Sequence, residues 1–187
     1  MKNIKKFLLL FSIIFLLPIK SFGLIEVDIT RGNLNPLPLA VSPLSIDEKS
    51  RKNFEGLLKK ENIGLEISSI VESNLRTSGL FNPLNKDAFL QAPDIANLKP
   101  RFEDWNLIKA QALITGKVSF ENDKLRVEFR LWDVLAGKEM MALAFTTVPN
   151  NWRRVGHIIT DKVYERLTGE KGYFDTRIIY VAEEGPK

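Results

Sequence analysis

Leu125, Val127, Phe129 and Leu131 alternate with Arg126, Glu128 and Arg130. A side-chain period of two belongs to a strand and not to a helix, and it calls for one buried and one wetted face. The rest of the fold has to be built around that half-buried strand. Upstream, Ile114, Gly116, Val118 and Phe120 alternate with polar residues, and Asn122-Asp123 makes the turn between the two runs. Downstream, Ala136-Gly137 turns the chain into a third strand, Glu139 to Val148. The result is a three-strand meander whose apolar face needs a cover.

Helical periodicity supplies the cover. Ile63, Ile67, Ile70, Val71 and Leu75 recur at helical spacing, and Gly79 ends that helix. Val155, Ile158, Ile159, Val163 and Leu167 do the same, with Asn150 or Asn151 as the N-cap and Gly169 as the stop. Arg101 to Ala110 reads as a helix with Phe102, Trp105 and Ile108 on one side. Leu39-Ala40-Val41 is a short strand, and Phe81 to Leu84 an extended piece that Pro83 confines to a sheet edge. Residues 45–60 read as a loop or frayed helical turn, and 85–100, with Pro93 and Pro100, as loop. The element order predicts helices packed on a mixed or antiparallel sheet: α+β, or a two-layer α/β sandwich.

The first 23 residues stand apart. Lys2, Lys5 and Lys6 precede an apolar run, Phe7 to Leu17, broken only by Ser12; Pro18 then ends any helix. Ser21 and Gly23 put small residues at positions −3 and −1 of a cleavage site, the layout of a secretory signal peptide. The run is shorter than the ~20 residues a membrane span needs, which points to cleavage after Gly23 and no membrane insertion afterwards. The segment holds four lysines and no acid, which is the whole of the net charge of +4. A chain beginning at Leu24 is formally neutral, so no basic surplus argues for a nucleic-acid partner. The absence of cysteine excludes disulfides, so an exported chain of this kind is stabilised by packing.

Little in the sequence has the pattern of chemistry. His157 is the single histidine, and on its helix it sits about 160° from Ile159, pointing away from the core. Gly116-Lys117 and Gly137-Lys138 have Gln111 and Trp132 where a phosphate loop needs glycine, and Val118 and Glu139 where it needs Ser or Thr. Gly169 to Gly172 matches an RNA-clamping GxxG, but Glu170 would repel phosphate. Asp104, Asp133, Asp161 and Asp175 have no spacing that brings two to one site, and are expected to cap and pair at the surface. Arg153-Arg154 opens a helix, where cations oppose the dipole, so a carboxylate from another domain or protein is a possible partner. No metal site, cofactor or catalytic residue is expected.

Longer stretches carry a resemblance. Asn151 to Arg154, Gly156 to Ile158, Asp161 to Glu165, Leu167 to Gly169 and Gly172 to Ile178 run together, supported by Leu113 to Val118, Val127 to Asp133 and Ser78 to Phe81. Together they resemble the TolB family of the periplasmic Tol-Pal system. The resemblance implies an α/β N-terminal domain of the anticodon-binding type, followed by a β-propeller, with no catalytic activity. It implies a periplasmic adaptor that links inner-membrane TolA to the outer-membrane lipoprotein Pal, maintaining outer-membrane integrity and its invagination at division. By position it assigns TolA binding to Leu24, Ile25, Glu26, Val27, Asp28, Ile29, Thr30, Arg31, Gly32 and Asn33. Here Ile25, Val27 and Ile29 alternate with Glu26 and Asp28, as a strand added to a partner's sheet edge requires. The organisation expected is a signal peptide (1–23), a partner-binding segment (24–35), an α/β domain (36–171), a linker (172–176) and the start of a truncated propeller (177–187). Pal binding is expected only with the missing propeller. Different readings are a periplasmic hydrolase with its site in missing sequence, and an envelope-transport auxiliary using the same domain.

Overall fold

A computed structural model describes Ile25 and residues 35–176. The expected meander is present as β4 (Ala112–Glu121), β5 (Lys124–Asp133) and β6 (Lys138–Thr147). The β4–β5 pairing is antiparallel and regular from Glu121↔Lys124 to Ala112↔Asp133. Along β5 the odd-numbered residues from Leu125 to Asp133 are all buried, as the alternation requires. β5 pairs antiparallel with β6, with one irregularity at Leu131/Trp132.

On the other side of β4 the pairing turns parallel. β1 (Leu37–Val41) lies between β4 and β3 (Phe81–Pro83), parallel to both, and β2 (Ser45–Ile46) continues along β4. The six-stranded sheet runs β3-β1-β4-β5-β6, with β2 beside β4. β3 is an edge strand, as Pro83 requires. β1 reads as nearly all apolar because both its faces are covered.

One face carries α1 (Glu48–Leu58), α2 (Ile63–Thr77) and α5 (Trp152–Thr168). Their Phe54, Ile63, Ile67, Val71, Leu75, Val155, Ile159, Val163 and Leu167 pack on Leu39, Ile114, Val118, Val127, Phe129 and Leu131 of the sheet. The other face has a smaller cover, α3 (Pro93–Leu98) and α4 (Phe102–Leu107). There Ala96 and Trp105 close over Ala40, Leu113 and Val134. The architecture is therefore α/β with a mixed sheet, as expected, plus this second cover.

Three local expectations need correction. Residues 48–58 form a full helix. Asp47 caps it by accepting the Ser50 N–H at 2.9 Å, and Lys59 ends it in the left-handed region. Its periodicity is hidden because a serine occupies a buried position. The Ser50 hydroxyl accepts the Phe120 N–H and donates to Asp47, both at 2.9 Å, tying helix to sheet. Within 85–100, expected as loop, Pro93 starts the helix α3. Ile158, expected in the buried stripe, is only half-buried; His157 is half-buried as well, with its Nδ1 beside Asn74 of α2.

The helix ends conform more closely. Gly79 (φ 72°) follows the Ser78 cap of α2, and Gly169 (φ 75°) is the C-cap of α5. Asn151 is the residue before α5, but its side chain caps nothing; it donates to the Thr147 hydroxyl at 3.2 Å.

Candidate functional site

Of the ten residues expected to bind a partner, Ile25 alone is among those described. Leu24, Glu26, Val27, Asp28, Ile29, Thr30, Arg31, Gly32 and Asn33 lie outside the described residues, as do the expected signal peptide and the strand Arg177 to Val181. Ile25 is half-buried and packs against the main core. Its N–H donates to Asp133 Oδ2 at 3.4 Å.

Asp133 is the last residue of β5 and holds a core-facing position, in line with Leu131 and Phe129. It is 1% exposed. Its Oδ1 accepts the Ala136 N–H at 2.8 Å, which closes the turn into β6. The next residue, Val134, donates to the Gln111 carbonyl, and Gln111 donates to the Pro38 carbonyl, both at 2.9 Å. Ile25 is thus seated at one end of the sheet, where β1 and β4 begin and β5 ends. A cleft of 260 Å³ beside it is lined by Phe102, Asn106, Leu135 and Gly137 among others.

A second constellation lies after α5. After α5 the stretch 172–176, expected as a linker, lies back along the helix. The Asp161 carboxylate accepts the Phe174 N–H at 2.7 Å and the Asp175 N–H at 3.0 Å. Asp175 in turn accepts a bidentate pair from Arg154, Nε at 3.0 Å and Nη2 at 3.0 Å. A Cβ on Gly172 would sit 2.4 Å from the Asp161 Cα, so the backbone rests directly on that residue. Tyr173 and Phe174 stack at 4.5 Å and both meet Tyr164 edge-on. Burial pushes the Tyr164 hydroxyl above its ordinary pKa.

These contacts reassign the charged residues singled out from the sequence. The Arg154 partner is Asp175 of the same chain, not a carboxylate of another domain or protein. Arg153 lies over the Trp152 ring at 4.3 Å. Asp161 and Asp175 do meet, but each is engaged in holding backbone or guanidinium. Asp104 pairs with Arg101. His157 Nδ1 lies 2.9 Å from the Asn74 amide nitrogen, which also donates to the Thr160 hydroxyl at 3.1 Å. No group of three or more His, Asp or Glu among the described residues is placed to hold a metal, and no helix among them is long and apolar enough to cross a membrane.

The profile of the TolB amino-terminal domain matches residues 25–140. The chain belongs to the TolB family. It is 81% identical over 178 residues to the Tol-Pal system protein TolB of Pelagibacter ubique (strain HTCC1062), a match covering 95% of this chain and 40% of that relative. This chain therefore spans two-fifths of the length of the curated TolB it matches. The crystal structure of TolB from Acinetobacter baumannii shares the fold, with a TM-score of 0.58 and 22% identity over 73% of this chain and 29% of that one.

The TolB profile begins at Ile25, the residue seated on Asp133, and stops at Met140 in β6. Helix α5 lies beyond it, yet α5 supplies Val155, Ile159, Val163 and Leu167 to the main core. The TolB-type domain here is closed by that later helix.

Asp133, expected from its spacing to cap or pair at the surface, is instead buried. A signal was present. The alternation that defines β5 extends to Asp133 and puts a carboxylate at an inward position.

Proposed function

We propose that this chain is the amino-terminal part of a non-enzymatic periplasmic adaptor of the Tol-Pal system. Its segment Leu24 to Asn33 binds TolA by adding a strand to the TolA sheet edge. Pal is bound by the portion present in full-length relatives, and the assembled adaptor links inner-membrane TolA to the outer membrane, maintaining its integrity and its invagination at division. Cleavage after Gly23 releases the chain into the periplasm.

The observation that carries the reading is the 81% identity to a protein named for the Tol-Pal system. Two features support its details. The alternation of Ile25, Val27 and Ile29 with Glu26 and Asp28 suits strand addition, in which the backbone supplies affinity and alternate side chains fill pockets. The four aspartates a hydrolase would draw on are committed to turns, backbone amides and arginines, which favours an adaptor over an enzyme.

Calorimetry with the TolA periplasmic domain tests the assignment. Deleting residues 24–33 abolishes binding while the circular dichroism of the domain is kept, because the core lies in residues 37–167. Val27→Asp weakens binding by roughly 1.5–3 kcal/mol, the worth of one buried apolar side chain. Unchanged affinity in the deletion variant would sink the reading.

A further inference from the structure

The two edges of the sheet differ. β3 is short and carries Pro83, so it has little backbone to offer another strand. β6 is ten residues long, and Met140 to Val148 hold no charge, proline or glycine. Ala142, Leu143, Ala144 and Thr146 are exposed, so this edge is open to solvent. Its beginning is closed, where Arg166 Nε donates to the Met140 carbonyl at 3.4 Å. A long, uncharged, uncovered edge is the kind on which another strand pairs.

The pairing within the sheet fixes which backbone groups face out. Asn122 and Asp123, both at positive φ, make a two-residue turn, so Glu121 and Lys124 are a hydrogen-bonded pair. Such pairs alternate along a ladder. The even-numbered residues of β5 therefore bond to β4 and the odd ones to β6, through Leu125↔Thr147, Val127↔Phe145 and Phe129↔Leu143. That directs the N–H and C=O groups of Ala142, Ala144 and Thr146 outward. The odd-numbered side chains of β6 lie on the helix face, where Met141 and Phe145 pack partly against the core and Leu143 is 38% exposed.

We propose that this edge pairs with the same edge of a second copy, antiparallel, about a two-fold axis at Ala144. Ala144 then faces Ala144 of the second copy, and Ala142 faces its Thr146, with two N–H···O bonds for each facing pair. Leu143 meets Phe145 of the second copy on the helix face, in the closer, non-hydrogen-bonded pairing. A slip of one residue would set these apolar side chains against the wetted face. The charge pattern selects both the occupant and its direction. Antiparallel pairing carries Lys138 and Glu139, the charges of the strand, to opposite ends of the joint, whereas parallel pairing would set like charges side by side. From Met140 onward the edge has no charge with which to choose a foreign strand, but it matches itself under two-fold symmetry. The joint lies outside the segment assigned to TolA and holds whether or not that assignment does.

Sedimentation and cross-linking of the purified chain, prepared without residues 1–23, test it. The parent chain should show a dimer that grows with concentration. Ala144→Lys places two ammonium groups across the axis and should weaken that dimer at least about tenfold, and Ala144→Glu should do the same. Ala144 is exposed, so circular dichroism should show both variants folded. Mixing the two variants should restore the dimer, because opposite charges then face one another. The chain has no cysteine, so Ala144→Cys introduces a single thiol. Facing Cα atoms of a hydrogen-bonded pair lie about 5.5 Å apart, within disulfide range. Mild oxidation should link Ala144→Cys into a dimer and leave Thr146→Cys, whose two copies lie about 13 Å apart along the strands, a monomer. A parent chain that stays monomeric up to about 1 mM overturns the proposal. So does a dimer that Ala144→Lys leaves unchanged, since another surface then makes it. Equal cross-linking of the two cysteine variants, or a charge-swapped mixture that stays monomeric, overturns it as well, because the two Ala144 positions then do not face each other.

Discussion

Gly156 sits where α5 crosses α2. A Cβ there would lie 2.8 Å from Ile70 Cγ2 and 3.0 Å from Ile70 Cβ. Two effects of Gly156→Ala oppose one another. Helix propensity alone gains about 1 kcal/mol. Against it, Ile70 is β-branched and stiff at χ1, so the clash cannot be relieved by swinging a flexible chain end; overpacking of this kind costs about 1–3 kcal/mol. The crowding should win. Urea denaturation of Gly156→Ala is expected to show a net loss of roughly 1–2 kcal/mol, and Ile70→Ala in the same chain should recover at least about 0.5 kcal/mol through coupling between the two sites. A variant as stable as the parent would show that the helices have room to part. Gln91 is another residue whose type is set by one place in the fold. At 4% exposure its Oε1 accepts from the Arg101 N–H and Trp105 Nε1, both at 3.0 Å, and its amide donates to the Lys99 carbonyl. It is the polar pin of the smaller cover.

Among the elements, the 172–176 stretch is a splint along α5. Its amides are held by a carboxylate, and hydrogen bonds to charged groups contribute about 1.5–3 kcal/mol each. The Arg154–Asp175 pair is solvated, with Arg154 56% exposed, and solvent screening leaves such a pair little net stabilisation. Asp161 is therefore the stronger fastening despite the better-looking geometry of the arginine fork. Asp161→Ala should speed amide exchange at Phe174 and Asp175 at least about tenfold, leaving Val127 and Phe129 in β5 unchanged. Arg154→Ala should have the smaller effect. Equal effects in hydrogen-exchange mass spectrometry would contradict this ranking. The course of residues 172–176 is set by these few bonds to α5.

For the whole molecule, two carboxylates link stability to acid. Burial pushes the Glu72 carboxyl up, but the hydrogen bonds and charges of Lys86 and Arg76 outweigh it and hold it below its ordinary 4.5. Asp47 is held below its ordinary 3.8, chiefly by the Ser50 backbone N–H at the start of α1. A lowered folded-state pKa contributes stability above the unfolded value, and that stability is lost as pH falls through the folded one. The domain should hold constant stability down to about pH 4.5 and lose it below. Glu72→Gln should flatten the first part of that fall, as read by thermal melts between pH 6 and 2.5. An identical acid profile in the variant would remove Glu72 from the account. Glu72 joins the last turns of α2 to Lys86, so its loss loosens the connection to β3.

The sequence by itself determined the meander, the two long helices and the edge position of Phe81–Pro83. Each rests on local physics: a period of two, a period of 3.6, and a proline that cannot donate. Asp133 was expected at the surface, yet it continues the β5 alternation inward and is 1% exposed. Helix α1 was illegible because Ser50 occupies its buried face. A polar residue there makes sense only once Phe120, 70 residues away, offers its N–H. The tertiary structure alone decided the parallel pairing of β1 with β3 and β4, the second cover over Leu113, the α2–α5 contact at Gly156, and the meetings of Ile25 with Asp133 and of Arg154 with Asp175. These are contacts between residues far apart in the chain or held on one side chain's geometry, and periodicity carries no information about which distant group a polar atom will find.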